Sequence, residues 1–386
     1  MIGNLKTVSL IIFTTILFTG HLFGQNLVRK ELTLAIDSAS IQIGNRLPDS
    51  QILPLIEGIR KKSFKHRLTF EYATSYLLES DQYFLNSNWD AAIKASEKAL
   101  EIATKIAKSN QKIEIQVKAL NTIGSVYSYQ GDFAEGLSMR IKALQISDTE
   151  NCSKKEMGNL LSWIADDYRH LNQQDKAVEY LKKTKEYLPS MSNEGVIDYY
   201  YSYCQSLAAL GKDTEARKKL TELDDFILAS TTFTEYDKNV ANIQSSKLHG
   251  EFAMKDKNFA KAITHYQRYL HYSNLLKNDG HIAIAMNKLA KAYQFLGNKE
   301  KAIQYFKQSY DACLKDGSLD YGFKNANSIA SIYAENNDYK IAYRYSQSAF
   351  ELKDSLNSTE RVKELYFLEA KYQAGKKEKE EAMEIL

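Results

Sequence analysis

Apolar and polar residues along the chain follow a pattern that repeats seven times, with steps of 39 to 46 residues. Each period contains one small residue within an apolar stretch of helical spacing. Five residues before it, Gly or Asn occurs in five of the seven periods, and both tolerate the left-handed conformation that ends many helices. We therefore expect each period to fold as two helices joined by a short turn. The small residues that open the second helices are Ala92, Gly136, Ala177, Ala216, Ala262, Ala302 and Ala342.

Three further positions keep the same register and indicate how the helices pack. Nine residues before the small residue, Tyr occurs in five of the seven periods. Three residues before it, aromatic residues recur at the start of the expected second helix. Seven residues after it, a second small residue recurs where two helices are expected to approach closely. The three sets are Tyr83, Tyr127, Tyr168, Tyr293 and Tyr333; Trp89, Phe133, Phe259 and Tyr339; and Ala99, Ala143 and Ala349.

This order of residue types resembles the tetratricopeptide repeat (TPR), as in the series Leu161, Ile164, Ala165, Tyr168, Ala177, Leu181 and Pro189. The resemblance covers residues 70–355. It implies an all-α fold, a right-handed α-solenoid of about seven helical hairpins whose first helices line a concave groove. The period exceeds the usual length of about 34 residues, and we expect longer helices or loops to absorb the difference. His249 and Ala253 replace Leu and Tyr in the repeat around Ala262, which predicts either a bend or a specialised repeat.

The composition supports helices and excludes one class of partner. The 386 residues include 3 Pro and 17 Gly beside 26 Tyr and 16 Phe, which favours long helices over turn-rich β structure. The 51 basic and 48 acidic residues are interspersed, without the concentrated basic patch that a phosphate backbone requires. Nucleic acid is therefore not an expected partner.

The N-terminal residues are typical of a secretion signal. Lys6 precedes an apolar run at residues 8–18, and Gly24 offers a small residue for cleavage. The run is shorter than the roughly 20 apolar residues that a membrane-spanning helix needs. We expect residues 1–24 to be removed and the mature chain, without a stable membrane span, to be periplasmic or secreted. Retention of this segment as an uncleaved anchor is the alternative.

Helices are also expected on both sides of the repeats. Residues 25–69 are expected to form one or two N-terminal helices, which Pro48 and Pro54 break. Residues 356–386 begin with an apolar stripe, expected to form a capping helix, and continue into a charged run, expected to be a solvated helix end. The stripe consists of Val362, Leu365, Leu368 and Tyr372.

The C-terminal segment also carries a second resemblance. Together with the signal peptide and the long-period repeats, residues 364–380 resemble the extracytoplasmic sensor region of bacterial TPR-containing histidine kinases and transcription regulators. In that family this segment leads into a transmembrane helix and an output domain. The sequence stops at Leu386 with neither. The resemblance therefore implies a truncated sensor, a split gene product or a stand-alone binding protein.

No motif for catalysis or cofactor binding occurs in the sequence. His265, His271 and His281 are close together, but steps of six and ten residues do not place them on one helical face as metal ligands. We therefore expect a non-catalytic protein- or peptide-binding module, without a metal or cofactor, in a signalling or sensor-like role in the cell envelope. A scaffold or adaptor for envelope or secretion-complex assembly is the alternative.

Ligand contacts are expected at first-helix positions that packing does not use. Asn recurs 15 residues before the small residue, and an amide both donates and accepts hydrogen bonds. Charged and aromatic residues lie at the same position or within the next turn. Ordinary hydrophilic helix faces are the alternative interpretation. The predicted groove residues are Asn121, Ser162, Trp163, Asp166, Arg169, Tyr201, Gln205, Lys247, Glu251, Asn287, Lys291 and Asn327.

Overall fold

The structure, a computed structural model, describes residues 25–44, 46–107, 109–149, 152–316 and 318–355, and the regular secondary structure within these ranges is helical. A 3₁₀ helix, Lys185–Ser190, follows α8. The α-helices are α1 (25–44), α2 (Asp49–Lys65), α3 (Thr69–Leu85), α4 (Trp89–Ala103), α5 (Asn110–Tyr129), α6 (Phe133–Thr149), α7 (Lys154–His170), α8 (Gln174–Thr184), α9 (Asn193–Ala209), α10 (Asp213–Ala229), α11 (Glu235–Lys255), α12 (Phe259–Leu275), α13 (Asp279–Phe295), α14 (Lys299–Asp316), α15 (Leu319–Glu335) and α16 (339–355).

The helices belong to two compact units, and the boundary lies within α10. Unit 1 extends to Ala216 and unit 2 begins at Arg217. In unit 1, α3 packs on α4, α5 on α6 and α7 on α8, and the first helices α3, α5, α7 and α9 also contact one another in sequence. In unit 2, α11 packs on α12 and α13 on α14, and α13 contacts α15. The prediction of an all-α, TPR-like solenoid of helical hairpins is confirmed, whereas its handedness stays a prediction.

The turn inside each hairpin is made by the backbone. All seven predicted turn residues have a positive φ, between 57° and 87°. The residue after each of them donates its N–H to the carbonyl five residues earlier, at 2.8–2.9 Å. These are Schellman motifs, which satisfy carbonyl groups at the end of the first helix. The turn residues are Ser87, Gly131, Asn172, Gly211, Lys257, Gly297 and Asn337.

Helix length accounts for the long period, as expected. Many of the helices have 17 residues, whereas α5 has 20 and α11 has 21. These two longer helices fall within the two longest steps of the pattern, 44 and 46 residues. Extra length in the first helices therefore lengthens the repeat while the hairpin turn stays the same.

The recurrent small and aromatic residues hold neighbouring hairpins together. Six of the seven small residues are Ala, five of them fully buried and Ala342 only 7 % exposed. In three hairpins the aromatic residue that opens the second helix stacks on the end of the next first helix and so joins that hairpin to its successor. The stacked pairs are Trp89 with Tyr129, Phe133 with His170, and Phe259 with Phe295, at 5.9, 4.1 and 5.4 Å between ring centroids.

Pro54 does not break a helix, contrary to the sequence-based prediction. Pro48 precedes α2 and Pro54 lies inside it. Pro54 and Ser50, whose carbonyl loses its usual helical donor, are both exposed, so water can satisfy that carbonyl. α1 and α2 share a buried core with Leu78 of α3.

Two predictions fall on residues that the structure does not describe. The signal peptide at residues 1–24 and the capping helix with its charged run at residues 356–386 both lie outside the described ranges. Within those ranges, no helix has the length and apolar content needed to cross a membrane.

Candidate functional site

The three predicted Asn residues lie in three different environments. Asn121, in unit 1, is half-buried and accepts a hydrogen bond from Nε of Arg140 at 3.3 Å. Asn287, in unit 2, is 2 % exposed and donates its amide to Oδ1 of Asn325 at 2.6 Å. Asn327, also in unit 2, is exposed. The recurrent Asn therefore does not present equivalent amides, because contacts between helices already engage two of the three.

In unit 1, two predicted groove residues bond to each other. Arg169 donates two hydrogen bonds to Oδ1 of Asp166, at 2.7 and 2.9 Å. Ser202 of α9 donates to the same oxygen at 2.8 Å. Burial acts to raise the pKa of Asp166, but the charges of Arg169 and His170 outweigh it and hold that pKa below its ordinary value. Asp166 therefore ties α7 to α9.

The other predicted residues of unit 1 are partly or fully covered. Ser162 is buried, and Trp163, Tyr201 and Gln205 are half-buried. Asp198, one turn before Tyr201 on α9, was not predicted. Burial, followed by the negative charges of Glu194 and Asp166, raises its pKa to about 8. Local sequence gives little signal for this residue, because Asp166 comes from a different helix.

Unit 2 has a pocket of about 340 Å³ bordered by three successive first helices. Three of the predicted groove residues, Glu251, Asn287 and Lys291, line it, whereas Lys247 and Asn327 do not. The sequence-based prediction missed the remaining residues because, in the helices of unit 2, it considered only the positions 15 and 11 residues before the small residue and no second-helix position. The lining residues are Glu251 and Met254 of α11, Tyr266 of α12, Asn287, Lys288 and Lys291 of α13, and Tyr321 and Lys324 of α15.

Two buried arrangements fix the walls of this pocket. A Cβ atom on Gly250 would lie 2.3 Å from the ring of Tyr266, so only glycine lets the ring pack against α11. Between α13 and α15, Asn325 accepts from Asn287 and donates to Oγ of Ser309 at 2.8 Å. Asn287, Asn325, Ser309 and Tyr266 are all buried, which holds the pocket in one shape.

The charges around the pocket are only partly balanced. Nζ of Lys288 lies 2.7 Å from Oε1 of Glu251, and Lys324 is paired with Asp320. Lys291 has no ion-pair partner among the described residues. Burial and the positive charges of Lys288 and Lys324 lower its pKa, and Asp320 partly offsets them. The pocket therefore presents one ammonium group without a counter-charge.

The unusual repeat around Ala262 contains a second polar cluster. Nε2 of His249 lies 2.7 Å from Oδ2 of Asp224, and Ser245 donates to the other oxygen of Asp224 at 2.6 Å. The ring of His249 stacks on His265 at 4.9 Å. Burial, followed by the charge of His249, lowers the pKa of His265 to about 4. Polar contacts of His249, Asp224 and Ser245 are therefore a distinctive feature of this repeat.

The three His residues considered as metal ligands take part in different contacts. His265 stacks on His249, His271 meets the ring of Tyr272 edge to face, and Nδ1 of His281 lies 2.8 Å from the hydroxyl of Tyr269. Within the part of the chain that the structure describes, no group of His, Cys, Asp and Glu is arranged to share a metal ion.

Another pocket, of about 520 Å³, lies in unit 1 at the ends of helices. It is formed by the turn between α2 and α3, the start of α3 and the end of α4, and includes Phe64, Tyr72 and Ile102. First helices do not border it side by side. The pocket of unit 2 is therefore the better candidate for a ligand that contacts successive repeats.

A family profile matches the part of the chain that forms this pocket. The profile of the tetratricopeptide repeat matches residues 239–315, from α11 to α14. The chain contains tetratricopeptide repeats. The first helices of these TPR hairpins, α11 and α13, provide five of the eight pocket residues. No curated protein sequence matches the chain.

Solved structures with a similar fold have low sequence identity to this chain. The apo form of the quorum sensor NprR from B. thuringiensis has a TM-score of 0.57 at 15% identity, over 84% of this chain and 99% of that one. NprR in complex with its cognate peptide NprX gives 0.56 at 16%, over 84% and 99%. The Rap conjugation gene regulator of plasmid pLS20, in complex with the Phr* peptide, gives 0.54 at 14%, over 77% of each chain. At these identities the likeness shows the fold.

Proposed function

We propose that the chain is a non-catalytic peptide-binding TPR protein and that the pocket of unit 2 is part of its ligand-binding face. The observation that carries this proposal is the convergence of polar and aromatic side chains from three successive first helices on one pocket. A volume of about 340 Å³ is in the range of small-ligand sites and fits one or two side chains of a peptide. Two proteins of similar fold have solved structures in complex with peptides.

Selection from a peptide library tests this proposal. The full-length chain is incubated with a soluble library of random hexapeptides, and retained peptides are identified by mass spectrometry. We expect a defined subset to be retained. In the double variant Lys291→Glu/Tyr321→Ala, retention should fall at least about tenfold, because the variant reverses the unpaired charge and removes a wall of the pocket.

A matched variant outside the pocket serves as the control. Lys340→Glu/Tyr343→Ala makes the same chemical changes on the exposed surface of α16, and it should retain the wild-type subset of peptides. Circular dichroism should show the same helix content for all three proteins. Equal retention by the pocket variant and the wild type, or no retained peptide at all, contradicts the proposed function.

We further propose that the chain acts outside the cytoplasm in a sensor-like role. The Lys6 residue and the apolar run of residues 8–18 support export. The similar NprR structure is that of a quorum sensor. Mass spectrometry of the protein from fractionated cells should find Gln25 as the first residue in an extracytoplasmic fraction. An intact N-terminus in the cytoplasmic fraction contradicts export, and an intact N-terminus in the membrane fraction indicates a retained anchor.

A further inference from the structure

We propose that the pocket of unit 1, at the turn between α2 and α3, binds a small soluble organic phosphate, a phosphate monoester that carries an aromatic or other apolar group. This site is separate from the pocket of unit 2, and the inference does not depend on the proposed function. Its volume of about 520 Å³ is in the range of small-ligand sites. The inference is carried by the cations of the lining, by the helix that starts there and by an exposed apolar wall.

The charged side chains that line the pocket of unit 1 are all positive. Lys65 is the last residue of α2, Arg67 lies in the turn after it, and Lys105 follows α4. Of the described residues, no Asp or Glu lines the pocket. Glu101 pairs with Lys105 at 3.7 Å, whereas Lys65 and Arg67 have no ion-pair partner within the described ranges. Two positive charges in the lining are therefore not balanced.

The helix ends around the pocket do not compete for these two cations. Carbonyl groups at the C-terminus of a helix attract Lys and Arg side chains when they have no other donor. In the turn after α2, Leu68 donates its N–H to the carbonyl of Ser63 at 2.9 Å. After α4, Ile106 donates to the carbonyl of Ala103 at 3.1 Å. Because the turns supply these donors, the two unpaired side chains remain available to a ligand.

This charge suits a phosphate monoester better than a carboxylate. A phosphate monoester carries about −1.5 to −2 at neutral pH, whereas a carboxylate carries a single negative charge. Arg67 supplies a planar guanidinium group, which can bind phosphate through two parallel hydrogen bonds. α3 also starts at this pocket, with Leu68 at its cap position, and a Leu side chain accepts no hydrogen bond. The first N–H groups of α3 therefore add the positive end of a helix, which favours phosphate.

The apolar wall of the pocket indicates that the phosphate belongs to an organic molecule. Phe64 is 70 % exposed, and its ring lies 5.5 Å from the ring of Tyr72. The buried side chains of Leu68 and Ile102 belong to the same lining. An aromatic group of the ligand would cover the ring of Phe64 and remove apolar surface from water. Inorganic phosphate would leave this wall exposed.

Isothermal titration calorimetry with the full-length chain tests the proposal. The probes are naphthyl phosphate, naphthalene sulfonate, naphthol and inorganic phosphate. We expect naphthyl phosphate to bind at least about tenfold more tightly than the other three, because it alone combines the charge of a phosphate monoester with an apolar group. Equal affinity for the phosphate and the sulfonate, equal affinity for the phosphate and naphthol, or no binding of naphthyl phosphate overturns the proposal.

Arg67→Gly removes one of the two cations without straining the turn. Arg67 has φ 56°, a conformation in which glycine is the least strained residue. We expect the affinity for naphthyl phosphate to fall about tenfold, while the melting temperature stays the same or rises. Arg46→Gly is the matched control, because Arg46 also has φ 56° and does not line the pocket. It should keep the wild-type affinity, and a loss in both variants or in neither overturns the role of Arg67.

The exposed ring of Phe64 gives a separate test of the apolar contact. Phe64→Ala should weaken the binding of naphthyl phosphate and leave the affinity for inorganic phosphate unchanged. Equal affinity of the variant and the wild type for naphthyl phosphate overturns the contact with the apolar group.

A phosphate monoester can also belong to a lipid headgroup, and sedimentation with vesicles that contain phosphatidic acid distinguishes this source. Sedimentation of the wild type but not of Arg67→Gly, without binding of naphthyl phosphate, overturns the soluble ligand and assigns the lipid. Peptide retention by the pocket of unit 2 should be the same in Arg67→Gly, Phe64→Ala and the wild type. Failure of this inference therefore leaves the proposed function intact, and the reverse also holds.

Discussion

Among single residues, Arg140 and Asp167 of unit 1 form an ion pair that is almost completely buried. Their side chains are 5 % and 2 % exposed. Arg140 also donates to Oγ of Ser128 at 2.9 Å and to Oγ of Ser125 at 3.0 Å. Asp167→Ala leaves the guanidinium group buried without its counter-charge, and we expect this to lower the free energy of unfolding by about 3–5 kcal/mol. Urea denaturation followed by circular dichroism measures the effect.

Replacing both partners of the ion pair should lower the stability of the protein less than removing one of them. In the double variant Arg140→Met/Asp167→Leu no charge remains buried, and we expect it to be more stable than Asp167→Ala. If the free energy of unfolding of Asp167→Ala lies within about 1 kcal/mol of the wild-type value, water reaches Arg140 readily. Arg140 also donates to Oδ1 of Asn121, so this predicted groove residue already has a partner within the fold.

Two glycines within helices should respond in opposite directions to the same change. In Gly250→Ala the new methyl group would lie 2.3 Å from the buried ring of Tyr266, and we expect a loss of about 1–3 kcal/mol in stability. Gly58 of α2 has no atom within 4 Å of an added Cβ. Gly58→Ala should therefore stabilise the protein by about 0.5–1 kcal/mol. Thermal denaturation of both variants provides the comparison, and equal shifts would contradict the close packing at Gly250.

At the scale of elements, the hairpin turn depends on backbone conformation more than on side chains. Lys257 has φ 58° at the turn after α11, where glycine is the least strained residue. We expect Lys257→Gly to stabilise the hairpin by up to about 1 kcal/mol. Gly297, with φ 86° at the equivalent turn after α13, should give the opposite result, a loss of about 1 kcal/mol in Gly297→Ala. Melting temperatures that move in the same direction would contradict the assigned turn.

The same turn explains which elements the sequence predicts well. Gly or Asn at five turns, with Tyr four residues earlier in most of them, marks the end of first helices correctly. Arg46 and Arg67 adopt a similar conformation, with φ 56°, before α2 and α3. Arg gives no sequence signal for a positive φ, so the regularity of these N-terminal turns was missed. The break expected at Pro54 was wrong because the carbonyl that it leaves without a donor is exposed.

At the scale of the whole molecule, the two units should respond oppositely to pH. In unit 2, burial lowers the pKa of His265 and of His281 to about 4, from 6.5. Between these values the unfolded chain binds more protons, so the stability of unit 2 falls as pH decreases from about 6.5 to about 4. In unit 1, the pKa of Asp198 is raised from 3.8 to about 8. The folded state then binds more protons, and stability falls as pH rises from about 4 to about 8.

Two variants separate these effects in a series of melting temperatures from pH 4.5 to 8. Asp198→Asn should reduce the loss of stability toward high pH, because its amide does not ionise. His265→Gln should reduce the loss toward low pH for the same reason. If both variants follow the wild-type profile throughout, these groups do not control the pH dependence, and other ionisable groups determine it.

The candidate site could be predicted only in part from sequence. The register of the repeats led to Glu251, Asn287 and Lys291, which line one pocket. The same register also predicted Asn121 as a groove residue, because the sequence does not show that Arg140 donates a hydrogen bond to Asn121. Pairing of charges is also set by neighbouring helices, so the sequence could not show that Lys288 is neutralised and Lys291 is not. Periodicity therefore predicts which face is used, while contacts between helices decide which side chains remain available.

The backbone turn also affects how the size of such a protein can change. It recurs with Ser, Lys, Asn or Gly at its centre and uses the same main-chain hydrogen bond each time. Each hairpin therefore contains its complete turn, so a hairpin that is duplicated, deleted or replaced by the hairpin of a related protein leaves the other turns unchanged. Since each repeat contacts mainly its neighbours, the length of the binding surface changes by one hairpin at a time. The same architecture can then bind ligands of different lengths without a new fold.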